Sequence, residues 1–229
     1  MDILVTKRLT LRPPLEVDID DIALFIGNRN VSRMLARVPH PYFPKDAVEW
    51  IERTTANIGA GQDMAFTIHR ERLIGAVSLT GFDGVPELGY WLAEPYWGKG
   101  FATEAGAAVL AHAFSTRSID RVVSSIFKDN PASLNVQKKL GFKLSGNGSL
   151  WSSARGEMVE SFKTELTRRD FMAAGHAVGA AVHDQFHEDP GVASGQCRLH
   201  RAEAGLVDVD LGQPLARLHL GQADDAELG

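Results

Sequence analysis

Cysteine is almost missing from the chain: Cys197 is the only one in 229 residues. That excludes a disulfide-stapled scaffold. Long apolar runs are missing too. None approaches the roughly 20 residues of a membrane-spanning helix, so no membrane association is expected. An excess of basic residues is also lacking. Twenty-four Lys and Arg against 29 Asp and Glu give a net charge of −5, which argues against a dedicated nucleic-acid binder. The opening Met1-Asp2-Ile3-Leu4 lacks the basic start and apolar stretch of a signal peptide, and a cytoplasmic protein is expected.

What the chain does have is divided unevenly. Residues 1–171 carry 21 basic and 20 acidic residues, whereas residues 172–229 carry 3 and 9. Phe186 is the only aromatic residue of that tail. With so little to bury, a loosely ordered, acidic C-terminal extension rich in Ala, Gly and His is expected after a domain spanning 1–171. His183 and His187 stand at the i,i+4 spacing of a helical metal pair. No third ligand accompanies them, so no metal is expected. Cys197 has no partner pattern and receives no role.

Within 1–171 the periodicity alternates between two and 3.6 residues. Val5–Arg12 reads as a strand. Asp18 is placed to cap a helix bearing Ile22 and Ile26, and Pro44 to start a second helix. Met64–His69 and Leu73–Leu79 read as a hairpin, followed by a strand over Glu87–Leu92. A helix over Phe101–Ser115, a strand over Arg121–Phe127, a helix over Pro131–Leu140 stopped by Gly141, and a strand over Met158–Leu166 complete the order. Hairpins followed by a βαβ crossover predict an α/β (α+β mixed) fold with a mixed sheet.

The segment from Glu87 to Ala105 carries the most chemistry. A strand runs through Pro95 into Trp97-Gly98-Lys99-Gly100 and then into a helix. Without side chains at Gly98 and Gly100, the backbone N–H groups from Trp97 to Ala102 can approach a ligand closely at the positive end of the helix. Such a nest suits phosphate or pyrophosphate, with Lys99 adding charge. The competing reading is a glycine-rich turn that only starts a helix. A second strand-to-helix junction, Asn130-Pro131-Ala132-Ser133, places a hydroxyl in a first helical turn at the same end of the sheet, where α/β sheets gather ligands. Asn130 is also an ordinary N-cap residue.

Taken together, these segments resemble the GNAT superfamily of acetyl-CoA-dependent N-acyltransferases. The similarity is greatest to the RimJ/RimL type, which acetylates N-terminal amines of ribosomal proteins. It rests on Thr6-Lys-Arg-Leu-Thr-Leu-Arg12, Glu87-Leu-Gly-Tyr-Trp-Leu92, Tyr96-Trp-Gly-Lys-Gly-Phe-Ala-Thr-Glu-Ala105, Asn130-x-x-Ser133 through Leu140-Gly-Phe142, and Thr164 to Phe171. It covers about residues 3 to 171. One departure is Trp97, which stands where the wider superfamily has Gln or Arg; Gly100 and Ala102 match.

The resemblance implies a GNAT fold: a twisted, mostly antiparallel sheet of six to seven strands flanked by about four helices. It implies direct attack of an amine on acetyl-CoA, with no metal. The acceptor would be a protein N-terminal amine; alternatives are a polyamine or aminoglycoside-like amine, or an inactive acyl-CoA-binding module. It implies that coenzyme A contacts Leu92, Ala93, Trp97, Gly98, Lys99, Gly100, Phe101, Ala102, Thr103, Asn130 and Ser133, with a backbone N–H near Leu92–Ala93 facing the acyl oxygen. Ser133 is the candidate donor to the leaving thiolate. Glu87 is the candidate base, sharing a strand face with Gly89 and Trp91, whose ring would exclude water; Asp83, Glu157 and Glu160 compete with it. Acceptor recognition is expected from three loops: 29–43 with Arg29, Arg33 and Arg37, 82–86, and 146–157. A monomer or homodimer is expected.

Overall fold

The computed structural model describes residues 2–176. The expected extension beyond 176, with His183, His187 and Cys197, lies outside them. Eight strands form one sheet in the order β1-β2-β3-β4-β5-β6-β8-β7. They are β1 (Leu4–Val5), β2 (Thr10–Arg12), β3 (Asp63–His69), β4 (Leu73–Thr80), β5 (Glu87–Leu92), β6 (Arg121–Phe127), β7 (Lys143–Ser152) and β8 (Glu157–Thr167). Every neighbouring pair is antiparallel except β5–β6, which is parallel. The helices are α1 (Ile19–Ile26), α2 (Arg29–Ser32), α3 (Pro44–Gly59), α4 (Phe101–Thr116), α5 (Pro131–Leu140) and α6 (Arg168–Ala173).

The strand count exceeds the expected six to seven for two reasons. First, Val5–Arg12 is not one strand. Thr6 breaks it: its N–H donates to Leu9 O, and its Oγ1 accepts the Leu9 N–H. The chain therefore folds back as a tiny hairpin, β1–β2. Second, most of the 146–157 segment expected as a loop is strand. β7 pairs with β8 from Lys143↔Glu165 to Ser152↔Glu157, and a register shift lies between Leu144 and Gly146. Most of its residues are exposed, and its less exposed positions, Gly148, Leu150 and Ser152, are not an apolar series, so it lacks the hydrophobic alternation that marks a strand in sequence. Helices outnumber the expected four because α2 and α6 are too short for a periodic signal.

Asp18 occupies the position before α1, yet its side chain caps nothing there. Its buried carboxylate instead receives two N–H groups of Arg12, at 2.6 and 2.8 Å, and the Leu15 amide at 2.9 Å. Charge pairing explains how a carboxylate can be 3% exposed.

Two apolar clusters cover the sheet. One joins α4, Leu140 of α5 and Phe171 of α6 to sheet residues such as Leu11, Phe66, Leu79, Leu88 and Leu166. The other joins Ile22, Ile26, Val31, Ala47 and Ile51 to Leu73, with Trp50 and Trp91 packed against it. Residue Gly106 lets α5 approach α4. A Cβ there would lie 3.0 Å from Leu140 Cδ1.

The parallel pair is where the sheet opens. β5 and β6 share a single register pair, Glu87↔Val123, whereas β6 follows β8 over its whole length. A buried polar plug bridges the start of the gap. Ser124 Oγ donates to Leu88 O at 2.8 Å, and Gln137 Nε2 donates to Ser124 Oγ at 2.6 Å. The Thr164 hydroxyl lies 2.5 Å from Gln137 Oε1 and 3.1 Å from Ser124 O, serving one at a time. Replacing Gln137 with Leu strands these buried groups. The expected cost is about 1–3 kcal/mol, read as a lower thermal midpoint with the fold retained.

Candidate active site

Beyond the plug, the strands diverge around a cavity of about 400 Å³. β5 forms one wall with Leu88, Tyr90 and Leu92. β6 and the start of α5 form the other with Ser124, Phe127, Asn130 and Ser133. The loop before α4 supplies Trp97, Gly98, Gly100, Phe101, Ala102 and Thr103, and Val31, Met34, Leu35 and Ala36 come from α2 and the residues after it.

Backbone direction decides which amides face this cavity. Ala93 N–H donates to Ile74 O at 2.8 Å, toward β4. In an antiparallel ladder the residues alternate, so Trp91 and Gly89 also bond toward β4. Leu88, Tyr90 and Leu92 turn their N–H and C=O groups to the β6 side. Leu88 O receiving Ser124 Oγ follows that pattern. At Tyr90 and Leu92 the neighbouring strand has already departed, so their amides point into the opening. Of the expected pair Leu92–Ala93, the Ala93 amide is therefore spent within the sheet, and Leu92 keeps its donor.

The loop forms a shelf of donors. Gly98 and Gly100 adopt φ of 72° and 80°, the left-handed region that favours glycine. The first helical bond of α4 runs from Glu104 N–H to Gly100 O. The amides of Phe101, Ala102 and Thr103 thus have no intrahelical acceptor, and Gly100 offers no side-chain cap. The shelf begins one residue later than expected. The Trp97 amide donates to Glu94 O, and its indole Nε1 donates to Leu92 O at 2.7 Å. Lys99 is turned back, with Nζ on Pro95 O at 2.9 Å.

A cation that the sequence reading did not assign stands beside the shelf. Arg8, in the β1–β2 turn, donates from Nη1 to Lys99 O at 3.0 Å and stacks 4.5 Å from the Phe101 ring. Glu104 in the first turn of α4 holds it there. Its carboxylate lies 2.6 Å from the Arg8 guanidinium and accepts the Arg8 amide and the Thr6 hydroxyl. Its segment, Thr6-Lys-Arg8, belonged to the resemblance, but no local spacing linked it to a loop 90 residues away.

At the other wall, Asn130 Oδ1 accepts the Ser133 amide at 3.0 Å, so Asn130 caps α5. Ser133 Oγ lies 2.8 Å from the Tyr90 hydroxyl, which also lies 3.1 Å from Ser133 O. Tyr90 is a site residue that sequence reasoning missed, although it stands inside the quoted β5 motif. Burial pushes its hydroxyl up to about 12, and hydrogen bonds to Ser133 and Gln137 pull the other way. The phenol therefore stays protonated at neutral pH. When it donates to Ser133 Oγ, the serine proton is directed away from Tyr90.

Glu87 is not brought into the cavity wall. It lies at the start of β5 on the face opposite Tyr90. Its side chain is 36% exposed and pairs with Arg37 at 3.1 Å, so the Trp91 ring does not enclose it. Of its competitors, Glu157 and Asp83 are exposed, and Glu160 faces Lys128 at 3.5 Å.

A sheet that opens at its one parallel pair, with a donor shelf at the mouth, defines an acyl-group transferase of the GNAT class. The profile described as Acetyltransferase (GNAT) domain matches residues 8–143, and the chain belongs to that family. Among its relatives, the uncharacterized N-acetyltransferase p20 of Bacillus licheniformis is 24% identical over 176 residues, covering 75% of this chain and 99% of the relative. A ribosomal-protein-serine acetyltransferase of Escherichia coli is 33% identical over 90 residues, covering 38% and 50%. A solved spermidine N-acetyltransferase from Vibrio cholerae, in complex with CoA and spermine, has a TM-score of 0.62 at 21% identity, covering 73% and 99%. The fold is thus the GNAT fold, and the enzyme is an N-acetyltransferase.

The Glu104 clamp has a pH signature. Burial raises its carboxyl, but the Thr6 hydroxyl and the Arg8 groups outweigh burial and hold it below the ordinary 4.5. A lowered folded-state value stabilises the fold above the ordinary range and is lost as pH falls through that lowered value. In urea unfolding, the wild type is therefore expected to lose more stability than Glu104→Gln between roughly pH 5 and pH 3.

Proposed function

We propose that this enzyme transfers the acetyl group of acetyl-CoA to the α-amine of a protein N-terminus. The observation that carries the reading is the junction of two donor sets on one cavity. The Gly98–Thr103 amide shelf suits a diphosphate, and the inward amides of Tyr90 and Leu92 suit an extended chain leading from it to an acyl group. Bound acetyl-CoA supplies the activated acyl group; no metal enters the proposal.

The chain's own groups divide the remaining work. The shelf and Arg8 hold negative charge at the mouth, with Trp97, Lys99 and Asn130 framing it by position. The Leu92 amide stabilises negative charge developing on the acyl oxygen, an effect typically worth about 3 kcal/mol per donor. Ser133, supported by Tyr90, hydrogen-bonds the departing sulfur. Tyr90 itself is too weak an acid to protonate a thiolate whose own pKa is near 8.5.

The acceptor must be neutral to attack. At pH 7 deprotonation costs roughly 1 kcal/mol for an α-amine of pKa about 7.7–8.0 but nearly 5 for a lysine of about 10.4. The site suits the easier case, because Glu87 stands half-buried and paired with Arg37 rather than enclosed beside the acyl site. The name of the E. coli relative supports a protein acceptor. The spermine-bound neighbour supports a polyamine, and acceptor panels separate the two.

The test is release of CoA thiol from acetyl-CoA, driven by N-terminal peptides and by spermidine. Turnover with peptides is expected; turnover with spermidine alone would overturn the acceptor reading, and none with any amine would leave a binding module. Gly98→Ala introduces a Cβ at φ 72° with no neighbour to clash. A cost of about 1–2 kcal/mol should weaken CoA binding roughly fivefold to thirtyfold. Calorimetric affinity unchanged from wild type would take the shelf out of the account.

Glu87, which stands outside the cavity wall, is proposed to take the amine proton through a water relay rather than by direct contact. Glu87→Gln should then lower kcat at pH 7 by at least roughly tenfold and recover as pH rises through the α-amine range. A deficit that stays constant up to about pH 9 would remove Glu87 from proton transfer.

A further inference from the structure

We infer that the acceptor is a peptide carrying acidic residues just after its N-terminal residue, read by Arg33. This rests on the peptide-acceptor reading above. The cavity's acceptor side is walled by Val31, Met34, Leu35 and Ala36. A polyamine entering there would need unpaired carboxylates for its second ammonium. Two carboxylates on this side already have arginine partners, and a third, Glu94, is taken up by two asparagine amides. Arg155 reaches both oxygens of Asp129, at 2.8 and 3.1 Å, and Arg37 holds Glu87 at 3.1 Å.

The Arg155 pair is a built feature rather than a loose surface contact. Its side chain is 14% exposed and lies 5.0 Å over the Phe127 ring. Its Nε donates to Arg33 O at 2.7 Å, and the turn bearing it adds Ser153 N–H to Ala36 O at 2.9 Å. This turn pins the 33–36 segment over the cavity, and with it the position of Arg33.

Arg33 is exposed, and no carboxylate lies within ion-pairing distance of it among the described residues. Its charge adds to the forces that lower Asp129, after the direct Arg155 hydrogen bond. One further carboxylate touches α2: Glu94, held by Asn28 Nδ2 at 2.7 Å and by Asn30, at the helix start near Arg29. Arg37 and Arg155 are thus paired with carboxylates and Glu94 is held by asparagines, whereas Arg29 and Arg33 have no ion-pair partner among the described residues; of these two, Arg33 belongs to the pinned segment over the cavity. A cationic mouth attracts anionic acceptors and repels polycations.

The test uses three octapeptides with the same first residue, followed by three aspartates, three glycines or three arginines. At low salt, kcat/KM for the aspartate peptide should exceed that for the arginine peptide about tenfold, and the ratio should shrink in 0.5 M salt. Arg33→Lys should keep the preference and Arg33→Glu should invert it. Equal rates, or faster acetylation of the arginine peptide, would overturn the inference while leaving the peptide reading intact. Spermidine turnover without peptide turnover would overturn both. Affinities of the N-acetylated peptides, measured by fluorescence anisotropy, should show the same order without any turnover; equal binding would also overturn it.

Discussion

The departure of β6 from β5 is the constraint on which the rest of this molecule depends. Two parallel strands that begin together and then separate leave backbone donors without partners, and buried unpaired amides are costly. Here the cost is contained by geometry. β6 stays fully paired to β8, so only the β5 side is left open. The Ser124–Gln137–Thr164 plug closes the narrow end, and the open end becomes a lined cavity. The Tyr90 and Leu92 amides are then available to a ligand because the fold supplies no strand to take them.

The same logic organises the surrounding elements. α4 begins at the mouth because β5 runs out there, and two glycines in left-handed conformations turn the chain without side chains in the way. α5 begins at the opposite wall because β6 ends there, and Asn130 caps it so that Ser133 falls in its first turn. Gly106 lets the two helices close on each other. Even the β1–β2 hairpin takes part, since the Arg8–Glu104 pair couples it to the shelf. The proposed binding site for a long anionic cofactor thus rests on backbone topology more than on charged side chains, which fits the near-neutral charge balance of residues 1–171.

Local chemistry made much of this legible in advance. The two-residue alternation of 64–79, the strand at Glu87–Leu92, the helix at Pro131–Leu140 with its Gly141 stop, and the glycine turn before α4 all carry their signals within a few residues. The signals failed where structure is held by distant partners. β7 is exposed on most of its length and exists because β8 pairs with it. Thr6 splits a strand by bonds that a hydrophobic pattern does not reveal. Asp18 has the residue type and position of a cap, but Arg12 claims its carboxylate.

The amino-acid sequence by itself determined the family, the order of most elements and the identity of the glycine shelf, because these depend on residues close together in the chain. Tertiary structure alone decided which backbone amides are free. It also decided that Arg8 stands beside the shelf, that Tyr90 supports Ser133, and that Glu87 is shared with Arg37. The physical reason is that pairing partners 30 to 100 residues apart compete for each donor and acceptor. That competition is settled only when strands and helices pack.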